Sequence, residues 1–78
     1  MQPGEQYVQR FGEKLRILRK RHKMTLKELA REFGFTSHSY INSIEFGRKQ
    51  PSIELVVKVA KLFNASTDQL LFDELELD

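Results

Sequence analysis

Cysteine is absent from this chain. That excludes disulfide staples and thiolate metal sites. Histidine is scarce: His22 and His38 are the only two, and neither has a carboxylate four residues on. A metal site needs three or four ligands, so no metal is expected. No apolar run is long enough to span a bilayer, and no signal peptide opens the sequence, so a soluble, cytoplasmic protein is expected. Alternating apolar and polar residues are missing too, apart from the closing ELELD, so no strand is expected. There is no repeat and no low-complexity segment. Nothing suggests catalysis: the chain shows no nucleophile–base arrangement, no glycine-rich phosphate cradle and no acid–base pair. A binding protein without cofactor or small-molecule ligand is expected, not an enzyme.

Seventy-eight residues make one domain. A chain this short buries only about 60% of its unfolded surface, so association would help its stability. It leaves no room for a ligand-sensing domain, and regulation would come from concentration, dimerisation or a partner. The formal charge of +2 hides an asymmetry. Residues 1–50 carry eleven Lys or Arg against five Asp or Glu, whereas residues 51–78 carry two against six. A basic amino-terminal part suits a phosphate-facing surface, and the acidic tail would be repelled from DNA.

Helical spacing accounts for the apolar residues. Residues 1–6 contain Pro3 and Gly4 and read as a flexible arm. A first helix is predicted from about Tyr7 to His22, with Phe11, Leu15 and Leu18 as its buried stripe. Arg16, Lys20, Arg21 and Lys23 crowd its carboxyl end, where cations also suit the helix dipole. A second helix spans about 26–33. Thr25 caps it, and Glu28 completes a capping box. Leu26, Leu29, Ala30 and Phe33 form its apolar face, and Gly34 stops it. A third spans about 37–46, with Thr36 or Ser37 as its cap, Ile41 and Ile44 buried, and Gly47 at its end. Pro51 and Ser52 open a fourth, about 53–63, carrying Val56, Val59, Ala60 and Phe63 on one face and Leu55 and Leu62 on a second stripe. Ser66 and Gln69 make another capping box before a fifth helix at about 67–74.

The third helix has an unusual surface. Its outward positions are His38, Ser39, Asn42 and Ser43, with no carboxylate among them. Short hydrogen-bonding side chains without negative charge are what a helix needs to enter a DNA groove. An ordinary helical hairpin with a polar face is the alternative. Tyr40, between polar neighbours, either stacks on sugar-phosphate or packs against the second helix. Arg48 and Lys49, just past the third helix, are placed for phosphate contact.

Five motifs in order, LRILR (15–19), MTLKELA (24–30), SYINSIE-x-G (39–47), PSIE (51–54) and NASTDQLL (64–71), resemble the Cro and phage-repressor family of helix-turn-helix proteins. The resemblance covers about residues 10–72. It implies an all-α fold, a compact five-helix bundle of the lambda-repressor type, with the third helix as reader of double-stranded DNA. It implies base contacts from His38, Ser39, Asn42 and Ser43, beside Thr36 and Ser37 at the helix entry. Phosphate contacts are implied for Thr25, Lys27, Arg48 and Lys49. It also implies an interior ion pair between Arg19 and Glu45. In two places the sequence departs from the family pattern. The stretch from Ala30 to Ile41 is one residue longer than usual, and Leu26 stands where the family often has Gln.

The expected function is a sequence-specific transcriptional regulator acting as a homodimer on a two-fold operator. The alternative is a protein-interaction module on the same fold, an antitoxin-like partner of another protein. Residues 7–72 form the expected DNA-binding domain, followed by an acidic tail, 73–78. Phe72, Leu75 and Leu77 look surplus to so small a core, and together with the neighbouring stripe of Leu55 and Leu62 they are assigned to a dimer interface. Fold-back of the tail onto its own domain is the alternative.

Overall fold

The computed structural model describes residues 8–78, and among them are five α-helices and no strand. They are α1 (Phe11–Arg21), α2 (Leu26–Glu32), α3 (Ser39–Glu45), α4 (Ile53–Phe63) and α5 (Thr67–Leu71). Local signals set most of the ends. The Thr25 hydroxyl accepts the Glu28 amide while the Glu28 carboxylate accepts the Thr25 amide. Ser66 and Gln69 repeat this reciprocal cap at α5. The Ser52 hydroxyl accepts the Leu55 amide at the start of α4. Gly34 and Gly47 follow α2 and α3 at φ 83° and 74°, a region that L side chains rarely adopt. In both places the next two amides bond back into the helix, the Schellman arrangement: Phe35 to Ala30 and Gly34 to Arg31, then Arg48 to Ser43 and Gly47 to Ile44. α1 closes the same way, with Lys23 in the left-handed position at φ 56°.

The core joins one face of every helix: Phe11, Leu15 and Leu18 from α1, Leu29 and Ala30 from α2, Ile41 and Ile44 from α3, Leu55, Val56, Val59 and Phe63 from α4, and Leu70 from α5. Phe33, just past α2, joins them. α1 packs on α3 and α5, α4 on α5, and α2 on α3. At the α1–α3 crossing Gly12 permits backbone contact. A Cβ there would overlap the carbonyl oxygen of Ile44 and stand 2.9 Å from that of Glu45.

Three expectations about the ends are corrected. α1 starts at Phe11, because residues 8–10 are not helical; Tyr7 lies outside the described residues. The Asp73 carboxylate accepts the amides of Gln9 and Arg10 at about 3 Å, so a distant side chain caps the open N–H groups at the start of α1. α3 starts at Ser39, with His38 in the N-cap position and not Thr36 or Ser37. α5 stops at Leu71, and Phe72 is extended.

The short α5 has a specific cause. Lys14 is wholly buried, and its ammonium donates to the carbonyls of Gln69, Phe72 and Leu75 at 2.6, 2.9 and 2.7 Å. Three donors meet three acceptors, which is what a buried ammonium requires. The tail is thereby folded back onto α1. Arg10 bonds Glu76 at 3.0 Å and holds its carboxyl below the usual range. Arg21 reaches the Asp78 carbonyl at 2.7 Å.

This changes the assignment of the surplus leucines. Leu55 is 1% exposed and belongs to the core, not to an interface. Leu62 and Leu77 are half-buried against that core. Phe72 and Leu75 remain exposed. Separately, Ile53, 85% exposed, and Val57 of α4 line a groove of about 290 Å³ together with Val8, Pro51, Val56 and Leu71.

Candidate nucleic-acid interface

α3 is seven residues long, and its two faces differ sharply. Ile41 and Ile44 are buried, which turns Ser39, Asn42 and Ser43 toward the surface. Ser39 is exposed, whereas Asn42 and Ser43 are half-buried at the rim. His38 and the turn residues Thr36 and Ser37 are exposed beside the start of the helix. The Ser37 hydroxyl accepts the Ser39 amide at 3.2 Å and lies 2.9 Å from the Ser39 hydroxyl. Ser37 thus satisfies one of the open amides of α3 without occupying the N-cap position.

The single carboxylate of α3 is turned inward. Glu45 accepts from Arg19 Nε at 2.7 Å and from Arg19 Nη2 at 3.1 Å, and its side chain is 2% exposed. The remaining Arg19 nitrogen, Nη1, donates to the Met24 carbonyl at 2.8 Å. This forked pair ties α1 to the end of α3. It also leaves no uncompensated negative charge on the outward side of α3.

Basic and polar groups also stand at the start of α2 and in the loop after α3. Lys27 is exposed in the first turn of α2, next to the capping Thr25. The hydrogen bond from the Thr25 amide holds the Glu28 carboxyl below the usual carboxylate range. After α3 come exposed Arg48 and Lys49. The Arg48 guanidinium carbon is 5.3 Å from the Phe46 ring centre, and Lys49 Nζ is 5.8 Å from that of Tyr40. Tyr40 is half-buried and meets Phe35 edge-on at 5.2 Å, so its ring packs against the α2–α3 turn.

A helix-turn-helix family model matches residues 15–70, which takes in α2, the turn and α3. The chain belongs to the helix-turn-helix family. It is 37% identical over 61 residues to the uncharacterised HTH-type transcriptional regulator YobD of Bacillus subtilis, a match covering 78% of this chain and 54% of YobD. The chain therefore spans about half the length of that relative. An uncharacterised HTH-type transcriptional regulator of Archaeoglobus fulgidus is 35% identical, over 82% of this chain and 91% of its own length. Among solved structures, the N-terminal DNA-binding domain of SinR from Bacillus subtilis superposes with TM-score 0.74 at 31% identity, covering 85% of this chain and 96% of that domain. The restriction-modification controller protein C.AhdI from Aeromonas hydrophila gives TM-score 0.69 at 27% identity, covering 80% and 92%. Relatives named as transcriptional regulators support a DNA-binding regulator. Among the described residues of this family member, no helix is long and apolar enough to cross a membrane.

Two residues that shape the site carried no obvious local signal. Phe46 looks like an ordinary apolar residue but is 60% exposed at the end of α3. Gly12 sits inside a helix and sets how closely α1 approaches the end of α3. A glycine within an otherwise regular apolar stripe was the available hint.

Proposed function

We propose that this chain is a sequence-specific DNA-binding transcriptional regulator that works as a homodimer on a two-fold operator. The observation that carries the reading is the α3 surface. Its outward side chains are short, polar and uncharged, and its one carboxylate is buried against Arg19. In this reading His38, Ser39, Asn42 and Ser43 meet base edges in the major groove, with Thr36 and Ser37 at the groove entry. Thr25, Lys27, Arg48 and Lys49 meet phosphates on either side and fix the register.

The dimer contact is assigned to α4 and its groove. Ile53, 85% exposed, stands on the wall of an apolar depression that it lines with Val8, Pro51, Val56 and Leu71. A two-fold contact is self-complementary, so each Ile53 can fill the partner's depression. Helix-turn-helix dimers place their recognition helices about one DNA turn, roughly 34 Å, apart, and the same spacing is expected of this one.

Selection of bound duplexes from a random DNA pool tests the reading. It should return an inverted repeat, and affinity should fall steeply as salt rises. Recovery of no sequence preference at any salt concentration would overturn it.

A further inference from the structure

We propose that Phe46 and Tyr40 are positioning residues, which hold the cations of Arg48 and Lys49 on their ring faces in the geometry used to grip DNA phosphates. The inference rests on the DNA-binding reading above and adds to it a role for two aromatic residues. Residues 46–50 are all exposed. A long cationic side chain in such a segment loses rotamer freedom when it meets a phosphate, a cost of about two- to tenfold in affinity for each side chain. Here both cations already have a platform.

The platforms are firmly held. The Phe46 amide donates to the Asn42 carbonyl at 3.1 Å, and the Arg48 amide donates to the Ser43 carbonyl at 2.9 Å. Ring and guanidinium thus spring from backbone locked to the last turn of α3. On the other side, Tyr40 lies edge-on to Phe35 at 5.2 Å. Lys58 Nζ lies 5.6 Å from the Phe35 ring centre while donating to the Phe33 carbonyl at 3.0 Å. Lys49, Tyr40, Phe35 and Lys58 therefore form a continuous stack from the loop to α4. Cation and ring attract through the ring quadrupole, and a stacked guanidinium keeps its N–H edges free to donate. The 60% exposure of Phe46 acquires a purpose in this arrangement.

The test uses the full chain and the exposed member, Phe46→Leu, which keeps an apolar side chain but removes the quadrupole. In the free protein, the Arg48 side-chain protons should show upfield ring-current shifts that vanish in Phe46→Leu. With duplex DNA at fixed salt, Phe46→Leu should lose about threefold in affinity on every sequence, Phe46→Tyr should restore it, and the melting temperature should not move. In an Arg48→Ala background, Phe46→Leu should have no further effect. Absent ring-current shifts, or a Phe46→Leu loss that persists without Arg48, overturn the positioning role. A wild-type affinity that does not weaken with salt overturns the DNA-binding reading instead, and the ring-current result distinguishes that case.

Discussion

The buried ammonium of Lys14 in α1 donates to the carbonyl of Leu75 in the tail at 2.7 Å, across 61 positions of sequence. Leu75 supplies one of three carbonyls in the cage, and two of the three, those of Phe72 and Leu75, lie beyond α5. The last residues are therefore part of the folded domain. Truncation after Leu71 should strand the ammonium and cost about 3–5 kcal/mol, as loss of a partner does for a buried charge. Lys14→Met should cost about 2–3 kcal/mol through the carbonyls of Gln69 and Leu75, which lose their donor, whereas that of Phe72 keeps the Leu75 amide. Urea denaturation measures both. A truncated chain as stable as the full one would show that the cage contributes nothing.

Gly12→Ala should destabilise the domain by about 1–3 kcal/mol, because the added methyl meets backbone oxygen at Ile44 and overpacking must be relieved by helix movement. An exposed helix interior would show the opposite sign, since Ala is the better helix former. Thermal unfolding of this variant reads the sign directly.

Glu45→Ala should cost about 3–5 kcal/mol by leaving Arg19, whose side chain is only 11% exposed, without its carboxylate. The double variant Arg19→Met with Glu45→Leu should recover much of that loss, because removing both charges removes the stranded one. A single variant that loses less than about 1 kcal/mol would mean that the pair behaves like a surface bridge.

Asn42→Ala and Ser43→Ala should each change the preferred base at one operator position, by about 1–3 kcal/mol. Lys49→Ala should weaken binding to all sequences and reduce the salt slope by about one. Binding isotherms on matched and mismatched duplexes at several salt concentrations separate these outcomes. Equal, sequence-independent losses from all three would argue against α3 as the reader.

Ile53→Glu should yield a monomer that binds a half-site weakly and gains nothing from the full operator, with its stability nearly unchanged because Ile53 is 85% exposed. Sedimentation velocity should show the shift in mass. Wild-type sedimentation as a monomer at tens of micromolar, with and without operator, would end the dimer assignment.

The five helices and their order were legible in the sequence because their signals are local. A hydroxyl three residues before a carboxylate or amide closes a cap within one turn, as at Thr25–Glu28 and Ser66–Gln69, and Gly34 and Gly47 take the left-handed conformation wherever the rest of the chain lies. The polar character of α3 was legible for the same reason, since Ile41 and Ile44 at helical spacing turn its other residues outward. What only the tertiary structure decided depends on distant partners. Lys14 reads as one more surface cation until the carbonyls of Gln69, Phe72 and Leu75 converge on it. That convergence ends α5 early and folds the tail back. Leu55 carries the same apolar side chain in a core or at an interface, and packing placed it in the core at 1% exposure. Composition cannot tell an aromatic residue that fills a core from one that carries a cation. Phe46 and Tyr40 received that placement from the path of the loop after α3, which is set by long-range packing and not by any residue's own propensity.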